Sequence, residues 1–230
     1  MNRLQQHQKG SAPELRLLVF AKAPVAGFAK TRLIPLLGAK GAARLQAELI
    51  RHTLRTCSAA DAGPIELWCA PRAEHPFFQQ CGREFGASVH RQRSGNLGER
   101  MYSALQSALR RSRAVVLLGT DIPGLTSDDL RSAARALGTG ADAVIAPAHD
   151  GGYVLIGVTR VAPELFVDVE WGTDQVLVQT RQRLRELGYS WEELQTQRDI
   201  DRPEDWFDLI AESPEWVERT GCRSWKAKDK

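Results

Sequence analysis

Short apolar runs alternate with helical periodicities along most of the chain. The sharpest run is Val115-Val116-Leu117-Leu118, which predicts a strand buried on both faces. Gly119 ends it, Asp121 stands just beyond, and Pro123 stops any continuation because it lacks an N–H and fixes φ. Similar runs predict strands over 15–21, 65–70, 142–146 and 154–158, with a weaker one over 87–90. Between them, apolar residues recur every three or four positions. Ala42, Leu45, Leu49, Thr53 and Cys57 predict one face of a helix over 39–59, and Pro35 and Gly38 punctuate its approach. Further helices are predicted over 74–84, 97–111 and 172–187. Thr126-Ser127-Asp128-Asp129 opens another that ends near Gly138, since a hydroxyl followed by acids is a helix start. Pro203 falls in the first turn of a last helix, with Asp201 at or beside its N-cap.

Strands alternating with helices imply an α/β fold, a mainly parallel sheet with helices on both faces. One domain over 15–212 is the simplest organisation, with a flexible N-terminal tail over 1–14 and a C-terminal tail over 213–230. The tail has no clear pattern after Pro214; its Trp216 and Trp225 either mark an interface or pack back on the domain.

Composition narrows the function classes. The 230 residues carry a net charge of +3, too little to imply nucleic-acid or membrane binding without a clustered patch. The Arg110–Arg113 run reads as the solvated end of a helix. No stretch approaches the roughly 18–20 apolar residues of a membrane span, and Met1–Glu14 lacks the apolar core of a signal peptide. Cys57, Cys69, Cys81 and Cys222 form no C-x-x-C pair, which implies reduced thiols and a cytoplasmic protein. Oligomeric state is left open.

Two places carry chemistry. The loop from Lys22 to Leu33 contains Pro24, Gly27 and the cations Lys22, Lys30 and Arg32. A glycine-containing turn between strand and helix exposes N–H groups that cradle phosphate oxygens. The loop has neither the G-x-x-x-x-G-K-[ST] nor the G-x-G-x-x-G spacing. Asp121 is the second place. If its strand and the first strand are neighbours where strand order reverses, both loops open on one crevice. A lone carboxylate facing a cationic phosphate loop suits Mg2+, which takes carboxylate oxygens and substrate phosphates and keeps several waters. The alternative is an ordinary turn cap.

Four segments occur in order: the Lys22–Leu33 loop, Gly95-Asn96-Leu97-Gly98-Glu99-Arg100-Met101, Gly119-Thr120-Asp121-Ile122-Pro123, and Asp150-Gly151-Gly152-Tyr153-Val154-Leu155-Ile156-Gly157. Together they resemble the DUF2064 family, also called rSAM/selenodomain-associated transferase 1, over roughly 15–205. That resemblance implies the GT-A, Rossmann-like fold of the nucleotide-diphospho-sugar transferase superfamily. It implies that Lys22, Gly27, Lys30 and Arg32, with Thr120, contact nucleotide phosphates, and that Gly95 and Leu97 lie near base or ribose. It implies Asp121 as a ligand to Mg2+ or Mn2+, with Asp201 helping as in the D-x-P-E-D segment of sugar-activating cytidylyltransferases; a plain helix cap is the other reading of Asp201. Asn96 departs from the acid expected there, which bears on any catalytic role of that position and not on the fold.

Asp150 to Tyr153 reads as the acceptor side. Gly151 and Gly152 allow close backbone approach, and Asp150 is the candidate general base or orienting group. Tyr153 either contacts an acceptor or faces the core, and Trp171 either lines the acceptor pocket or packs internally. His149 reads as a surface histidine. Lys30 and Arg32 join Asp150 as candidate catalytic groups. No nucleophile elbow or Ser-His-Asp order is present. The function expected first is metal-dependent glycosyl transfer from a nucleoside-diphosphate sugar to a small-molecule acceptor. The alternatives are nucleotidyl transfer from an NTP to a phosphorylated small molecule, and nucleotide binding without catalysis.

Overall fold

The computed structural model describes residues 14–221. The expected N-terminal tail, apart from Glu14, lies outside the described residues, as do Cys222 and Trp225. The strands are β1 (Leu15–Lys22), β2 (Ile65–Ala70), β3 (Ser88–Arg91), β4 (Ala114–Leu118), β5 (Ala143–Pro147), β6 (Tyr153–Val158) and β7 (Trp191–Glu193). The helices are α1 (Ile34–Ala60), α2 (Pro76–Phe85), α3 (Leu97–Leu109), α4 (Ser127–Gly138), α5 (Val176–Glu186), α6 (Pro203–Glu212) and α7 (Glu215–Thr220).

One seven-stranded sheet has the order β3-β2-β1-β4-β6-β5-β7. β1 pairs in parallel with both β2 and β4, while β6 runs antiparallel to β4 and β5. After β1 the chain builds outward to β3, then returns to lay β4 on the other side of β1. The strand order therefore reverses between β1 and β4. The mixed α/β sheet with helices on both faces matches the expected fold class.

The fully buried run of β4 is explained by this central place. On one face, β1, β2 and β4 pack against α1, α2 and α4 through Ile50, Leu54, Cys57, Phe78 and Leu130. On the other face, Leu18, Leu117 and Ile156 pack against α3 and α5 through Met101, Leu105, Leu177 and Leu184. A third cluster on the outer side of α1 joins Leu45 and Leu49 to Trp206 and Leu209 of α6 and Trp216 of α7. Trp216 thus packs back on the domain.

Local differences from the pattern have local causes. Gly38 has φ +69° and ψ 161°, so the first turn of α1 is set off from the continuous helix after it. α5 begins at Val176 instead of 172: Gly172 has φ +86°, and Thr173 donates its hydroxyl to the Glu170 carbonyl, closing a turn ahead of the helix. The Arg110–Arg113 run is partly spent internally. Arg111 approaches the buried Glu66 carboxylate at 2.8 Å, where Arg16 (2.9 Å) and the Trp68 indole N–H (2.9 Å) also converge. This satisfies a carboxylate that would otherwise be costly inside β2.

Candidate functional site

The β1 and β4 loops open on the same edge, where open α/β sheets bind ligands. After β1 the chain turns tightly: Phe28 and Ala29 both donate their N–H to the Val25 carbonyl (3.0 Å each). Gly27 supplies φ +86°, and a Cβ there would meet nothing within 4 Å, so its requirement is conformational. Lys30 follows with φ 47°, also left-handed. Its side chain turns inward and is only 3% exposed. The ammonium lies 2.7 Å from Asp121 Oδ2 and donates to the Ile200 carbonyl.

Asp121 is held from several sides. Gln46 of α1 donates to the Thr120 hydroxyl (3.3 Å), which stands 3.4 Å from Asp121 Oδ1. Thr53 anchors α1 to the Thr120 carbonyl at 3.5 Å. The Asp121 carbonyl accepts the Ile200 N–H (2.8 Å), tying in a segment distant in sequence. That segment runs along the sheet edge: Gln197 donates to the Pro147 carbonyl and accepts from His149 N–H. It thereby delivers Asp199 and Asp201. Asp201 is not spent on the helix that follows; its carboxylate pairs with Arg32, while Asp205 accepts the Arg202 N–H at the start of α6.

Asp199 also borders the cleft, and Asp199-Ile200-Asp201 has a D-x-D spacing. Burial raises the Asp199 pKa, and the negative charge of Asp150 raises it further. The predicted site residues do not include Gln92 and Arg100. Arg100 of α3 donates to Gln92 Oε1 (3.0 Å), and Gln92 donates to the Trp68 carbonyl (2.9 Å).

Beyond β5, Asp150 closes its own turn by accepting the Gly152 N–H (2.9 Å). Gly151 has φ +86°, and a Cβ there would lie 2.4 Å from the Asp174 carbonyl oxygen, so this loop is pressed on the approach to α5. The Tyr153 ring borders the opening, but its hydroxyl is buried against that of Thr180. Burial pushes the phenol pKa up. Trp171 meets Tyr153 edge-on (6.4 Å, 78°) and stacks on Phe166. His149 is exposed, as expected.

These loops enclose a cleft of about 1020 Å³. It brings together Lys22, Lys30, Leu97, Thr120, Asp121, Asp150, Gly152, Tyr153, Trp171, Asp199 and Asp201. Gly27, Arg32, Gly95 and Gly151 do not line it directly. Gly95 serves the helix start instead: with φ +127°, a Cβ would meet the Glu99 carboxylate at 2.0 Å, where Glu99 and Asn96 form a reciprocal cap on α3. Position 96 thus has a structural role. Strand order sorts the cleft. Lys22, Gln92 and Arg100 lie on the β1–β3 side, Asp121 at the centre, and Asp150, Tyr153 and Trp171 toward β6 and α5.

The donor chemistry fits a hard divalent cation held lightly. Asp121 is 43% exposed at its side chain, and Asp199 and Asp201 border the same space. Among the described residues no three His, Cys, Asp or Glu converge as a cage. One or two carboxylates completed by water and phosphate is the usual arrangement for Mg2+.

Comparison with known proteins agrees with this fold. The family model DUF2064, described as an uncharacterized protein conserved in bacteria, matches residues 53–173. None of the curated proteins matches the sequence. Among solved structures, one from Desulfovibrio desulfuricans G20, provisionally assigned as a nucleotide-diphospho-sugar transferase, is 28% identical with TM-score 0.77, covering 87% of each chain. A cytidylyltransferase from Leptospira borgpetersenii is 13% identical with TM-score 0.58 over 89% of this chain and 96% of its own. Glucosyl-3-phosphoglycerate synthase from Mycobacterium tuberculosis, in complex with Mn2+, UDP and glucosyl-3-phosphoglycerate, is 12% identical with TM-score 0.53 over 93% and 82%.

Proposed function

Since the chain belongs to the DUF2064 family, we propose that it is a metal-dependent transferase that moves a glycosyl group from a nucleoside-diphosphate sugar to a small-molecule acceptor. The observation that carries this reading is the meeting of the β1 loop and the β4 loop at the switch point, with Lys30 against Asp121 at 2.7 Å. Asp121, with Asp201, would hold Mg2+ or Mn2+. The metal would supply charge neutralisation to the leaving diphosphate.

The remaining work falls to the chain's own groups. Lys22, which borders the cleft at the end of β1, binds phosphate oxygens. Thr120 and Gln46 hold the Asp121 carboxylate in register. Lys30 keeps that carboxylate aimed through their 2.7 Å ion pair. Arg32 fixes Asp201, and Leu97 supports the base or ribose. Asp150 has one oxygen engaged by Gly152 and the other available to take the proton of an acceptor hydroxyl. The acceptor oxygen forms its bond to the sugar's anomeric carbon as the bond to the diphosphate oxygen breaks. Among the described residues, the buried thiols of Cys57, Cys69 and Cys81 form no disulfide, which suits a reducing cytoplasm.

Titration calorimetry tests the reading. Nucleoside-diphosphate sugars should bind more tightly with Mg2+ or Mn2+, and Asp121→Ala should remove that dependence. Metal-independent binding by the wild-type protein would sink it. A second reading, nucleotidyl transfer, draws on a specific feature: Asp121 is followed by Ile122 and Pro123, and its partner acid arrives from a separate segment. Pyrophosphate release from an NTP would favour that reading; release of free NDP favours glycosyl transfer.

A further inference from the structure

The charges of the cleft are divided between its two halves. Among the described residues, the cations bordering it are Lys22, Lys30 and Arg100. Lys30 is committed to Asp121, and the other two lie on the β1–β3 side. No Lys or Arg borders the cleft from the β5–β6 side or from residues 171–176. The charged groups there are Asp150 and Asp199, which border the same space. A phosphate or carboxylate seated in that half would meet two carboxylates, while the neighbouring Lys30 is already paired with Asp121.

The same half is apolar. The ring of Tyr153, the Trp171 indole and Val176 line it, continuous with Ile156 and Leu117 of the sheet. The Tyr153 hydroxyl turns away into the core beside Thr180, so this side chain presents only its ring. Trp171 is fixed in place, because Gly98 of α3 leaves no room behind it: a Cβ at position 98 would lie 2.9 Å from the indole. Across the cleft, Val25 and the 68% exposed Phe28 add apolar surface on the opposite rim.

Resting on the transferase reading of this cleft, we propose that the acceptor is a non-anionic alcohol with an apolar body. Its ring or hydrocarbon part docks on Trp171, Tyr153 and Val176, and its hydroxyl, with any ammonium group it carries, reaches Asp150 and Asp199. An aromatic wall beside carboxylates favours neutral and cationic ligands over anionic ones.

Three probes that share a benzyl ring and carry a neutral, a cationic and an anionic group test this: benzyl alcohol, benzylamine and benzyl phosphate. Binding to the full chain is followed by saturation-transfer NMR with Mg2+ and inorganic pyrophosphate present, so that the cationic half is occupied. Benzyl alcohol and benzylamine should bind, with benzyl phosphate weaker by roughly tenfold or more, the effect of about one ion pair's worth of energy. Trp171→Ala should abolish ring binding, and Trp171→Leu, which preserves apolar bulk, should weaken it. Asp150→Asn should bring benzylamine down to the level of the alcohol. Equal or tighter binding of benzyl phosphate overturns the proposal, as does binding unchanged by either Trp171 variant, or no ring binding at all. Calorimetry of nucleoside-diphosphate sugars on the same preparation separates the two claims. Donor binding with benzyl phosphate preferred leaves the transferase reading intact and removes only the acceptor class.

Discussion

Lys30 buries an ammonium group at the edge of a sheet, and its two acceptors, the Asp121 carboxylate and the Ile200 carbonyl, make that tolerable. The pair is asymmetric, with Lys30 enclosed at 3% side-chain exposure and Asp121 half open at 43%. Removing Asp121 leaves an enclosed charge without its partner. Removing Lys30 leaves a carboxylate that water can reach. Asp121→Ala is therefore expected to cost about 2–3 kcal/mol, discounted from a fully buried pair because Asp121 is half open, and Lys30→Met less than about 1 kcal/mol. Urea denaturation of the two variants measures both; equal losses would contradict the asymmetry. The sequence put Lys22, Lys30, Arg32 and Asp121 in play here, with Lys30 as a phosphate contact and a candidate catalytic group. That Lys30 faces inward depends on where residue 200 lies, which no local pattern encodes.

At the level of elements, the start of α3 shows how a site constrains a helix. In an exposed helix, Gly→Ala gains about 1 kcal/mol in helix propensity. At Gly98 the added methyl would lie 2.9 Å from the Phe166 carbonyl oxygen and from the Trp171 ring. Gly98→Ala is expected to destabilise by about 1–3 kcal/mol and to displace Trp171. A thermal melt reads the first effect, and loss of benzyl alcohol binding the second. The long elements were legible because their periodicity is internal to them. The capping signal at Thr126 is met by its side-chain bond to the Asp129 N–H. β7 was not legible, since three residues, Trp-Glu-Glu, paired in parallel beside β5, carry no alternation of their own. α7 was likewise silent: its six residues bury Trp216 and Thr220 only because α1 and α6 are there to receive them.

For the whole molecule, the core sets a pH dependence. Burial pushes the Cys57 thiol up to about 12 and Cys81 to about 11, with Cys69 higher still, from an ordinary value of 9.0. Below pH 9 both native and unfolded chains hold these protons, and the thiols contribute no pH dependence. Above it the unfolded chain releases them while the native chain keeps them, so stability falls as pH rises. The expected loss is about 1 kcal/mol per thiol by pH 10. Urea midpoints at pH 8 and pH 10 measure it, and a flat profile would contradict the burial of these groups.

By itself the sequence determined the succession of the longer strands and helices, the α/β class and the two loops that carry chemistry. Hydrophobic runs, helical spacing and turn residues act within about ten positions of the chain. Only the tertiary structure decided which charged groups are spent on each other and which remain for a ligand. Lys30 meets Ile200 and Arg32 meets Asp201 across about 170 residues, and Asp199 enters the cleft only because its segment lies along the ends of β4 and β5. Those meetings follow from strand order and from the path of one connecting segment. Electrostatic energy depends on distance in space, and distance along the chain does not fix it.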